Sequence, residues 1–170
     1  VDVTGRRLGA VGLLALVTVL QVTLAPRAAV LGIKPDLLLL TVVGCALTRG
    51  SVAGCLVGAA AGTVEDVMVG QYLGVRALAL ALVGLLTARA ATRFFGDQPL
   101  VPVVAALGGT ALAELTTWVL WRVVGLPLPL GTGLARVVLP SCLYNGLVAV
   151  LFPGWWVRRA RGGSGVGVGA

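Results

Sequence analysis

The chain has 170 residues, 58% of them hydrophobic before its 25 glycines are counted, and only 11% charged. An ordinary soluble domain carries about a quarter charged residues, and a water-facing surface cannot be built from so little polar material. A water-soluble globule and a disordered chain are both excluded, which leaves an integral membrane protein. A spanning helix takes about 20 apolar residues, so six of them consume most of the chain and leave no room for a soluble catalytic domain. Histidine is absent, which removes His-based triads, zinc hydrolase motifs and His proton relays. Lys and Arg outnumber Asp and Glu by 13 to 6. In a membrane protein that excess reads as orientation by the positive-inside rule rather than as nucleic-acid binding.

The apolar runs predict six spans at about residues 8–24, 33–48, 51–69, 75–88, 100–121 and 134–152. Together they form one all-α helical domain over residues 1–161, followed by a disordered Gly-rich tail at 162–170. Val1, in place of methionine, fits an alternative bacterial start codon or a trimmed chain. The first run follows Arg6-Arg7 and reads as an uncleaved span rather than a secretory signal, because no small-residue cleavage site follows it. Pro35-Asp36 reads as the start of the second helix, since proline suits a first turn and Asp suits the positive end of the helix dipole. That run is short and needs residues near 30–33 to reach across. The third run carries Glu65 and Asp66 near its end, and a tight turn centred on Gln71 leads into the fourth. The fifth ends in Trp118, Trp121 and Arg122, and the sixth in Trp155, Trp156, Arg158, Arg159 and Arg161, both in the manner of a membrane boundary. With both termini cytoplasmic, eight arginines lie inside (6, 7, 49, 89, 93, 158, 159 and 161). Five basic residues then lie outside (Arg27, Lys34, Arg76, Arg122 and Arg136), some of which can point into the bundle.

Glycine recurs at every fourth position through the third run, at Gly54, Gly58 and Gly62, and the fifth run carries a small-residue row at Ala105, Gly109 and Ala113. Such stripes let membrane helices approach closely. They pack the bundle internally or offer a docking surface to a partner's span. Asp66 and Arg76 are equidistant from Gln71, so an antiparallel hairpin places them at one depth, either as a structural clamp or as a coupling-ion or substrate site. Glu65 lies about 100° round the helix from Asp66 and faces the outer interface or a polar cavity. Glu114 has Arg122 and Arg136 as candidate partners. Ser141 and Asn145 share a face of the sixth run and can hydrogen-bond across helices. Cys45, Cys55 and Cys142 lack paired spacing and read as small apolar residues. No nucleophile elbow, phosphate loop or metal-ligand cluster occurs in the sequence, so neither an enzyme nor a cofactor is expected.

Three stretches together resemble the MreD family, the rod shape-determining membrane proteins of bacteria. They are Lys34-Pro35-Asp36 followed by four leucines, Gly54-x-x-x-Gly58 leading to Asp66, and Gly70-Gln71-Tyr72-Leu73-Gly74-Val75-Arg76. Asn145 looks like the polar residue often found near the last span of that family, whereas Glu65 replaces an apolar residue. The resemblance implies a non-enzymatic component of the cell-elongation machinery in the bacterial inner membrane. Its implied partners are an MreC-like single-span protein, the MreB filament, RodA and a penicillin-binding transpeptidase, with membrane lipid around it. The family is also similar to the S-components of energy-coupling-factor vitamin transporters. That similarity implies an S-component-like six-helix bundle and, as the alternative function, a small-molecule-binding transporter subunit. An ion-coupled transporter using Glu65, Asp66, Arg76 and Glu114 is a third class, for which no inverted repeat is visible.

Overall fold

The computed structural model describes residues 3–23, 27, 34–70, 72–95, 100–125 and 137–151, with the side chains of 3–11 and 94–95 excepted. Among these residues the protein is wholly helical. The helices are α1 (Val3–Thr23), α2 (Leu37–Arg49), α3 (Ser51–Val69), α4 (Val75–Ala90), α5 (Val101–Val123) and α6 (Leu139–Leu151), and a π-helical turn over Ala91–Phe95 continues α4. Three segments, Ser51–Val69, Val75–Arg93 and Val101–Val123, are long and apolar enough to cross a bilayer. The predicted turn centre Gln71, the residues near 30–33, Arg136, the aromatic and basic collar after 152 and the Gly-rich tail lie outside the described residues.

α2 forms the centre of the bundle. Leu38, Leu39, Val42 and Val43 are at most 2% exposed, and they form one core with Val17 of α1, Ala61 of α3, Leu80 and Val83 of α4 and Ala113 of α5. A helix surrounded in this way presents little surface to lipid, which accounts for the near-continuous apolar sequence of α2 without a polar face. Its 13 residues rise only about 20 Å, short of the roughly 30 Å hydrocarbon core. The outer faces of the other helices carry exposed Val52, Leu56, Val119 and Leu143, an arrangement that water penalises and lipid does not.

A one-residue connection sets α3 directly after α2. Gly50 alone joins α2 to α3, at φ +87°, a conformation that L side chains rarely adopt. Its N–H closes α2 on the Ala46 carbonyl at 3.0 Å, while its own carbonyl accepts from Gly54 N–H at 3.0 Å to open α3. α3 and α4 then pack backbone to backbone. A Cβ on Gly58 would fall on the Leu80 carbonyl, and one on Gly62 on Ala77 and the Arg76 carbonyl. A Cβ on Gly54 would lie 2.7 Å from both the Ala46 Cβ and the Gly84 carbonyl oxygen. The groove carved by the third run's glycines is therefore occupied by α4, which answers it with Gly84.

A polar network that joins the six described helices

The α3–α4 pairing also fixes a register. Gly62 faces Arg76, so Asp66 lies one turn nearer the loop instead of level with Arg76. A turn symmetric about Gln71 predicts the other register. The two helix ends at this connection are unlike, α3 ending on Gly70 in the left-handed conformation and α4 starting after Gly74 at φ +101°. The side-chain ion pair expected between Asp66 and Arg76 does not form. Asp66, only 5% exposed, instead accepts main-chain hydrogen bonds from Gly74 (2.8 Å), Arg76 (3.0 Å) and Ala77 (3.2 Å). Gly74, the residue capping α4, has no side chain for the task. Asp66 supplies from α3 the oxygens that the first turn of α4 requires, and its charge suits the positive end of the helix dipole.

The Arg76 guanidinium turns inward to three other acids. Nε donates to Glu65 Oε2 at 3.0 Å, Nη1 to Glu114 Oε1 at 3.3 Å, and Nη2 to Asp36 Oδ2. These four side chains are between 12% and 23% exposed. Glu65 and Glu114 therefore meet on Arg76. Of the partners expected for Glu114, Arg122 lies with its guanidinium 5.3 Å from the Trp118 ring centroid, and Arg136 lies outside the described residues. Four of the chain's six acidic residues contact Arg76, three through its side chain and Asp66 through its main chain. Planar guanidinium donors suit this multiple bridging better than a lysine ammonium does.

Asp36 joins this cluster to the rest of the bundle. It caps α2, its Oδ1 accepting from Leu39 N–H at 2.8 Å, with Pro35 just before the cap rather than inside the helix. Its own N–H donates to Asn145 Oδ1 of α6 at 2.9 Å, and Asn145 Nδ2 donates to Thr110 Oγ1 of α5 at 3.1 Å. The next N–H, of Leu37, donates to Gln21 Oε1 of α1 at 2.9 Å. All six described helices thus contribute to one network at the end of the bundle where α2 begins. Burying so many charges is costly, and the full pairing of Arg76 together with the capped helix ends offsets that cost.

Two members, Gln21 and Thr110, escape a reading based on charge. Each is a single uncharged polar residue in an apolar run, and Thr110 also bonds back to its own helix at Ala106, as Ser and Thr commonly do in helices. The small row of α5 faces inward. A Cβ on Gly109 would lie 3.1 Å from Val83 Cγ1 and 3.2 Å from Val43 Cγ2, and Ala113 is fully buried, so this row serves α2 and α4 rather than the α3 stripe. Ser141 is partly buried beside the buried Asn145 on α6.

Among the described residues, a helical membrane protein with one buried cluster of charges between its helices and apolar faces outward is the class these features define. The family model for the rod shape-determining protein MreD matches residues 6–158, nearly the whole chain. The protein belongs to the MreD family, a family of membrane proteins that determine rod shape. No curated protein and no solved structure showed a match.

Proposed function

We propose that this protein is a non-enzymatic, multi-pass component of the bacterial inner membrane. In this reading it binds an MreC-like single-span partner and positions it for peptidoglycan synthesis by RodA and the penicillin-binding transpeptidase. Six spans with both termini cytoplasmic place the Arg76 network at the extracytoplasmic end of the bundle. The observation that carries the reading is that all six described helices meet in this network. Its polar groups are committed to holding helix ends in fixed relation, which makes a rigid platform rather than a reaction site. Because α4 fills the glycine groove of α3, the partner's span docks on an outward helix face, and the partner's extracytoplasmic region meets the end organised by Arg76.

Co-expression with the MreC-like protein of the same organism tests this. The expected result is a complex that survives detergent extraction and purification. Arg76→Gln is expected to lower its yield beyond any loss in the amount of folded protein. Failure to co-purify, with both proteins folded and in the membrane, overturns the reading. A vitamin retained stoichiometrically through purification points instead to the S-component-like carrier.

A further inference from the structure

At the other end of α4, about 15 Å along the helix from Arg76, a cavity of about 250 Å³ opens between α4 and α5. Its walls are almost wholly apolar, with Leu86, Ala90, Val104, Ala105, Gly108 and Leu112 prominent. It opens to the outside along Gly108, which is exposed and at which an added Cβ would meet nothing within 4 Å. A cavity of this volume suits part of a single hydrocarbon chain rather than a packed helix some 10 Å across.

Among the described residues the charge around the slot has one sign. Arg89, exposed in the last turn of α4, immediately precedes the lining residue Ala90, and Arg93 follows one turn later. Arg49 closes α2 at this same end. Among the described residues the acids, Asp36, Glu65, Asp66 and Glu114, all belong to the opposite end. The slot is also walled by Val101, the first residue of α5, so the positive end of that helix dipole lies beside it. We propose that this slot seats one acyl chain of an anionic phospholipid, with the headgroup held at Arg89. Basic residues flanking a gap between membrane helices are the chemistry by which anionic headgroups are recognised. The proposal stands apart from partner binding, because it concerns a different end of the bundle and a different class of ligand.

Native mass spectrometry and thermal unfolding of the full-length protein in neutral detergent test it, using phosphatidylglycerol and phosphatidylcholine with identical chains. Phosphatidylglycerol is expected to bind more tightly and to raise Tm more. Arg89→Gln is expected to weaken that binding about fivefold, the worth of one basic residue near an anionic headgroup. Gly108→Phe, which fills the slot from its open side, is expected to abolish binding while leaving the lipid-free Tm unchanged. Equal binding of the two lipids by the unaltered protein overturns the proposal, as does undiminished binding by Gly108→Phe. If Gly108→Phe folds poorly, Val104→Phe, at an exposed lining position, fills the same slot and is read in the same way. Loss of an MreC-like partner on Gly108→Phe with lipid binding intact also overturns it, in favour of a protein occupant.

Discussion

The two ends of this bundle solve the same problem, holding helices together where lipid offers no hydrophobic preference, by opposite means. At the Gly50 end the helices meet through the absence of side chains. Gly54 and Gly84 bring α3 and α4 into backbone contact, with Gly54 also against Ala46 of α2. The arginines nearby, 49 and 89, are exposed. At the Arg76 end the helices meet through polar atoms, with three carboxylates on one guanidinium and Asn145 and Gln21 bonded to the first N–H groups of α2. Close packing tolerates no added atom, whereas the polar network tolerates no missing one. The two ends should therefore fail under different substitutions.

The sharpest contrast comes from Arg76→Gln. It leaves three partly buried carboxylates facing one another without a cation, and removing one partner from such a network costs about 3–5 kcal/mol. Thermal unfolding in detergent should show the largest loss of the series, with Arg76→Lys recovering only part of it. Exchanging charges through Asp66→Arg with Arg76→Asp should not restore stability, because Asp66 serves main-chain N–H groups rather than the guanidinium. Partial restoration by that double exchange would show that the two side chains pair after all.

Gly58→Leu comes next. It places a side chain on the α4 backbone, and overpacking of this kind costs about 1–3 kcal/mol or more. Gly108→Ala, on open surface, should change Tm little. Equal effects at the two glycines would mean that the α3–α4 contact is not what the stripe provides. Asp66→Ala removes the cap of α4 at about 1 kcal/mol, and Asp66→Asn should cost less because it keeps an acceptor oxygen. Asn145→Ala removes two hydrogen bonds between helices, and such bonds in membranes are worth on the order of 0.6 kcal/mol each. Arg89→Gln should lie within about 0.5 kcal/mol of the parent in lipid-free detergent, since that arginine is exposed and outside the packed core.

Much of the architecture was legible in the chain itself. The third helix, Ser51–Val69, coincides with the apolar run expected at about 51–69, which Gly50 and Gly70 bracket. The start of the second helix at Pro35-Asp36 was legible to within two residues, whereas the use of Asp36 as a side-chain cap, with Pro35 outside the helix, was seen only in the structure. Five members of the network stand out in the sequence as charges in or beside apolar runs, Asp36, Glu65, Asp66, Arg76 and Glu114, and Asn145 as an uncharged amide in one. Gln21 was not distinguished, since one amide near a helix end carries no signal of its own.

Composition and periodicity alone determined that this is a helical membrane protein with a few polar residues inside it and a glycine face on its third helix. Those properties follow from the solvent and from the local geometry of one helix, and both are written in short stretches of sequence. Which acid meets Arg76, and what fills the glycine groove, was decided only in three dimensions. A shift of one helical turn between α3 and α4 moves Asp66 from the guanidinium to the backbone of α4 and places Gly62 opposite Arg76. Asp36 and Glu114, 40 and 38 residues from Arg76 in sequence, then complete the shell, a choice that rests on how whole helices pack and not on the spacing of any pair.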